Sequence, residues 1–185
     1  MLDMGDGLLH DSVSEIGMIK TAIFGKEKDK DGNLIYRYAL MRMWDPEKRL
    51  CTFCMLNPST ADAHKDDSTI RKCQHFARLW GFGGIVVVNI FAFRSTYPRI
   101  LKKAKDPIGP RNDDMILKHC KSGEVVCAWG AHGTYLKRGG HVWNLLEKAG
   151  IKPKCFYKTK DGEPGHPLYV AYTQPLIPMH PEVSK

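Results

Sequence analysis

The chain has 185 residues, 43% hydrophobic and 26% charged, which suits one domain with its own core and excludes a disordered chain. Lys and Arg number 28 against 20 Asp and Glu, a formal charge of +8; such a surplus fits either an anionic partner, nucleic acid being the commonest, or a solvated basic surface. No apolar run approaches the roughly 20 residues that span a bilayer, and the opening "MLDMGDGLLHDSVSEIG" has no basic segment followed by an apolar core, so the expectation is a cytoplasmic protein without membrane contact.

In chain order, residues 1–17 are rich in Gly and Asp and read as a flexible arm, and residues 18–185 as a single α/β domain. "MIKTAIF" (18–24) and "LIYRYALMRMW" (34–44) are β-rich and flank a turn signal at Asp31-Gly32-Asn33, which predicts an N-terminal β-hairpin. "RLCTFCMLNPS" reads as a buried strand stopped at Pro58. "DSTIRKCQHFARLWGF" reads as a helix capped by Asp67 or Ser68, with Ile70, Cys73, Phe76, Ala77 and Trp80 on one stripe and Gly81 as its stop. "GIVVVNIFAF" has the β-branched run of a strand buried on both faces. A long loop with three prolines follows, then a helix at "DDMILKHC", a strand at "EVVCAWG", a helix at "HVWNLLEKAG", a strand at "KPKCFYKT" and a turn at "GEPGHPLYV".

This alternation predicts a three-layer α/β/α fold with a central, mostly parallel sheet. In such sheets ligands gather beyond the C-terminal strand ends. Those ends here are "NPSTAD", "NIFAFRST", "WGAHG" and "HPLY", so the expected rim holds Asn57, Ser59, Thr60, Asp62, Asp66, Asp67, Asn89, His132 and His166. No phosphate loop, dinucleotide glycine fingerprint, nucleophile elbow, zinc-protease or EF-hand pattern is present. Rim amides suit a planar heterocycle, because an Asn side chain offers donors and an acceptor in one plane. A neutral His can donate to a carbonyl oxygen as negative charge develops there. Cys51-Thr52-Phe53-Cys54 is a C-x-x-C, but no second pair or paired His follows at zinc spacing. The six cysteines are therefore read as free thiols, with no metal and no cofactor expected.

"AWGAHG" followed by "HPLY" resembles the uracil-DNA glycosylase superfamily, where a strand ends in a Trp-Gly turn and a later His-Pro loop carries the catalytic His. "VVVNIF" is similar to that superfamily's strand bearing the base-recognition Asn, and "MLNPST" to its first motif. Over its whole length the chain resembles a family of uncharacterised bacterial and phage proteins, a domain of unknown function, with the pattern "LNPSTAD", "VVVN", "DPIGP", "AWG" and "HPLY".

The resemblance implies a uracil-DNA-glycosylase-like fold and hydrolysis of an N-glycosidic bond to a base in DNA, the nucleotide being flipped out of the duplex. It implies that Asn57 positions the attacking water, Asn89 pairs with the base edge, and His166 hydrogen-bonds the base carbonyl. Asp67 is added as a catalytic candidate, able to act as a base if it faces the rim. Pro58, Ser59, Asp66, Phe91, Phe93, Trp129 and His132 are candidate substrate contacts, with Phe91 or Phe93 stacking. Arg94, Arg99, Lys102, Lys103, Lys137 and Arg138 are candidate phosphate contacts.

The residues also admit plainer readings. Asn57 can end a strand, Asn89 can tie a loop, His166 can belong to a turn, Trp129 can be core, and Asp66 and Asp67 can be helix-capping and first-turn charges. Two other functions stay open: a nucleobase- or nucleic-acid-binding module that cleaves nothing, and a nucleotide-modifying enzyme that uses Asp66 and Asp67.

Overall fold

The computed structural model describes residues 8–13, 17–59 and 65–179. Its strands are β1 (Leu8–Val13), β2 (Ile19–Phe24), β3 (Arg37–Met43), β4 (Leu50–Met55), β5 (Gly84–Asn89), β6 (Glu124–Cys127), β7 (Lys154–Cys155) and β8 (Ile177–Pro178). Its helices are α1 (Ser68–Leu79), α2 (Pro98–Leu101), α3 (Asn112–Cys120) and α4 (Arg138–Lys148), with 3-10 turns over Ala131–Lys137 and Pro167–Tyr169. All eight strands join one sheet in the order β1-β2-β3-β5-β4-β6-β7-β8. The central pairs β5–β4, β4–β6 and β6–β7 are parallel, and the outer pairs are antiparallel. This is an α/β architecture with mostly parallel central strands.

Side chains alternate across a strand, so each strand feeds two cores. On one face Phe53, Met55, Ile85 and Val87 pack with Ile70, Cys73, Phe76 and Ala77 of α1. On the other, Cys54, Val86 and Val88 pack with Ile116 and Cys120 of α3 and with Val142 and Leu146 of α4. The helix α1 starts where expected: Asp67 Oδ1 accepts from the Ile70 N–H at 2.8 Å. The same alternation separates the C-x-x-C: Cys51 belongs to the α1 face and Cys54 to the opposite one. All six cysteines are buried free thiols, and burial pushes the Cys51 thiol far up. Among the described residues no cluster of His, Cys, Asp and Glu is placed to hold a metal ion. Among them, too, no helix is long and apolar enough to cross a membrane.

β2 and β3 form the expected hairpin, but with an irregularity that matters for the site. Ala22 pairs with Leu40 and Ile23 with Ala39, whereas Phe24 pairs with Arg37. Tyr38 is the extra residue, a β-bulge that shifts the side-chain alternation by one. Arg37 is thereby moved onto the face of Leu40, Phe24 and Val87, the α1 face. One segment departs from the sequence reading: Leu8–Val13, assigned to a flexible arm, pairs along β2 as an edge strand. The remainder of that arm, Gly17 apart, lies outside the described residues, as do the rim candidates Thr60 and Asp62.

Candidate functional site

A cavity of about 180 Å³ opens at the C-terminal ends of β4 and β5, on the α1 face. Its walls include Asn57, Ser59, Asp67, Asn89 and His166, all singled out from the sequence, together with Arg37, Thr69, Ser95 and Thr96, which were not. The volume suits one six-membered ring, since an apolar cavity of about 150 Å³ holds benzene. A wider cleft of about 420 Å³ lies at the opposite end of the sheet, lined by Arg49, Lys121, Lys152 and Lys154 among others. It borders the C-terminal ends of α3 and α4, where cations complement the helix dipoles.

Asn89 is the last residue of β5, paired in register with Met55. The two strands stay together beyond their ends: Ile90 N–H donates to the Met55 carbonyl (2.8 Å) and Phe91 N–H to the Leu56 carbonyl (3.0 Å). This holds Asn57 and Asn89 at one opening. Their amides are used differently. The Asn57 Nδ2 group donates to the carbonyls of Ser95 (2.8 Å) and Pro58 (3.1 Å), which anchors the loop after β5. The Asn89 side chain is 1% exposed, and its Nδ2 has no hydrogen-bond partner among the described residues. The tying of β5 falls instead to Asn112 of α3, whose Nδ2 donates to the carbonyls of Asn89 (2.9 Å) and Ile90 (3.0 Å).

His166 Nδ1 accepts from the Leu168 N–H at 3.3 Å, capping the 3-10 turn Pro167–Tyr169. That bond assigns the ring hydrogen to Nε2. Burial lowers the His166 pKa from its ordinary value, and the charge of Asp67 partly offsets this, so the ring is a neutral donor at pH 7. Asp67 is fully engaged: Oδ1 caps α1, and Oδ2 accepts from the Ser59 hydroxyl at 2.6 Å.

The "AWG" turn explains how the His-Pro loop reaches the cavity. Gly130 has φ +73°, a conformation that favours glycine, and its N–H donates to the Pro164 carbonyl at 2.8 Å. The Trp129 indole donates to Glu163. Two consecutive residues at the end of β6 thus clamp two consecutive residues just ahead of His166.

The other sequence candidates lie apart from the cavity walls. Asp66 accepts from the wholly buried Arg42 (Nε, 2.8 Å) and from Gln74 (2.7 Å), so it is an internal ion-pair partner. Phe91 and Trp129 are buried in the core on the α3/α4 face, and Phe93 is half-buried against Tyr36. Pro58 is buried and its carbonyl accepts from the Ser95 N–H (2.9 Å). His132 is exposed and does not line the cavity. Arg138 is buried, bonded to the Ile90 carbonyl (2.7 Å) and to Asp113, so its guanidinium cannot reach a phosphate. Arg94 is half-buried, donating to the Leu34 carbonyl (3.0 Å). Arg99, Lys102, Lys103 and Lys137 are exposed. Arg99 lies over the Tyr97 ring (5.2 Å), just after the cavity residues Ser95 and Thr96. Tyr169, 85% exposed, stands three residues beyond His166.

Of the cavity residues absent from the sequence reading, Arg37 is the most consequential, a cation only 2% exposed. Its signal was a charge, one of two with Arg42, inside an otherwise apolar and aromatic run. No curated protein and no solved structure matches the chain. A family model described as a protein of unknown function (DUF1643) matches residues 37–168, the span from Arg37 through Asn57 and Asn89 to His166, and the chain belongs to that family.

Proposed function

We propose that the cavity receives a single nucleobase from DNA and that the protein hydrolyses its N-glycosidic bond, on a fold of uracil-DNA-glycosylase type. The observation that carries this reading is the Asn89 amide: a buried donor without an acceptor among the described residues, on the wall of a ring-sized cavity. Buried polar groups are nearly always paired, so an orphaned one at a cavity is a group waiting for a ligand. In the reaction, a water held by Asn57 Oδ1 attacks the sugar C1′. The C1′–N bond breaks through an oxocarbenium-like state and its electron pair leaves with the base. The His166 Nε2–H hydrogen-bonds the base carbonyl on which that negative charge accumulates. The water's proton passes to solvent, because Asn57 is no base and Asp67 already accepts two hydrogen bonds.

That same engagement of Asp67 favours a second reading, a module that binds the base and leaves the bond intact. One assay separates them. Oligonucleotides carrying uracil, mismatches or modified bases are incubated with the protein and treated with alkali. Strand breaks that decline at least a hundredfold in rate in His166→Ala and Asn57→Ala support hydrolysis. Retention without breaks supports the binder. Breaks unchanged in Asn57→Ala, Asp67→Ala and His166→Ala would refute the assignment to this cavity.

A further inference from the structure

We infer that the surroundings of this cavity are a stacking surface for single-stranded DNA, on which the bases next to the one in the cavity lie against exposed tyrosines, Tyr169 foremost. The inference rests on the reading of the cavity as a base pocket and adds the state of the strand from which the base comes.

Tyr169 is 85% exposed, although a tyrosine ring is usually more than half buried in a folded chain. Its backbone is nevertheless tied down on both sides. Pro167 and Val170 are buried, the Val170 N–H donates to the Pro167 carbonyl (3.1 Å), and the Leu168 N–H donates to His166 Nδ1 (3.3 Å). The turn therefore presents the ring to solvent from a fixed position, so stacking on it costs little ordering. Its centroid lies 6.5 Å from that of His166, which lines the cavity. The exposed aromatic face thus stands beside the group that meets the base.

Two more exposed tyrosines belong to the same segments. Tyr172, three residues on, is 45% exposed; its ring lies 4.0 Å from that of the exposed His75 on α1, and Lys72 Nζ is 3.8 Å from its centroid. The loop after β5 lines the cavity with Ser95 and Thr96 and continues into Tyr97, 54% exposed, with the Arg99 guanidinium 5.2 Å from its ring. Both chain segments that leave the cavity thus pair an exposed ring with a cation. Single-stranded DNA uses both: bases stack on the rings, and phosphates meet the cations. The formal charge of +8 favours the same polyanion. A duplex leaves the rings unused, because each of its bases is already sandwiched between neighbours, and extruding the target base from it costs unstacking energy.

Fluorescence anisotropy on the full chain, in dilute salt, tests this with three labelled probes: a single strand carrying one central uracil, the same strand with abasic sites on both sides of the uracil, and the same sequence as a duplex. The intact single strand is expected to bind at least about fivefold more tightly than either of the others, the lower end for one stacked base. Tyr169→Ala should weaken the intact strand by at least about the same factor and leave the strand with flanking abasic sites unchanged. Tyr169→Phe, which keeps the ring, should bind as the wild type does. Wild-type affinity of Tyr169→Ala for the intact strand, or a duplex bound as tightly as the single strand, overturns the inference and leaves the base-pocket reading to the alkali assay. Tyr169-dependent binding that is unchanged when the central uracil is itself made abasic supports the stacking surface and overturns the base pocket. Binding of none of the probes overturns both.

Discussion

The Asn89 amide allows a stability test that is independent of any substrate. If Nδ2 is held in the interior without an acceptor, the folded protein carries a desolvation cost of about 1–3 kcal/mol for it. Asn89→Leu removes that donor in a side chain of similar size, and a volume-conserving change in a core costs less than about 1.5 kcal/mol. The expected net effect is stabilisation of about 1 kcal/mol, a rise in Tm of roughly 2–4 °C for a chain of this length, together with loss of base release. Asn112→Leu is the matched control on the neighbouring helix. Its Nδ2 serves two buried carbonyls, at 2.9 and 3.0 Å, so the same substitution should cost at least about 2 kcal/mol, even after relief of the Asn112 Oδ1, which is itself without a partner among the described residues. Urea unfolding with equal slopes reads both differences. A destabilisation of Asn89→Leu by more than about 1 kcal/mol would mean that its amide is bonded in the free protein, and the argument from an orphaned donor would collapse.

Two further outcomes follow from groups outside the cavity. Asp66→Ala removes the carboxylate that accepts from Nε of the fully buried Arg42 and from Gln74; the expected loss is at least about 1.5 kcal/mol, the scale of a hydrogen bond to a charged group, and urea denaturation showing no loss would reopen a chemical role for Asp66. His119 is held by burial, with a small contribution from Lys118, down to about 4 from an ordinary 6.5. The unfolded chain therefore binds the proton first, and stability falls as pH drops below 6.5, down to the folded value of about 4. By pH 5 the deficit is about 2 kcal/mol. His119→Gln should flatten the change in urea midpoint between pH 7 and pH 5 by that amount; an unaltered pH slope would contradict the burial argument.

What could be read from the sequence was whatever depends on local pattern. The β5 run is buried at all six positions, as a β-branched stretch between two helix patterns should be. Asp67 caps α1 because a short acceptor stood just before the apolar stripe. Asn57, Asn89 and His166 share a cavity wall, which strand ends in one direction make geometrically natural. What escaped is decided by partners distant in the chain. Asp66 looked like a rim acid, but Arg42, on a strand 24 residues earlier, takes it into the interior. Arg138 looked like a surface cation, but it starts a helix that packs beside α3 and meets Asp113. Leu8–Val13 has little strand signal of its own and gains its conformation from pairing with β2. Arg37 depends on a one-residue offset between β2 and β3, which no periodicity within either strand reports.

The place of the cavity follows from how the chain leaves two neighbouring strands. From β4 it passes through α1, on one face, to reach β5; from β5 it passes through α3, on the other face, to reach β6 on the far side of β4. The loops after β4 and β5 therefore diverge to opposite faces, which opens a crevice between their ends, the position where open α/β sheets bind ligands. Here that crevice has a third border. The strand β3 runs antiparallel beside β5, so its beginning, not its end, lies at the same rim. A purely parallel sheet would bring only strand-end loops to the ligand. The mixed order adds Arg37, held in a strand rather than a loop and therefore more rigidly placed.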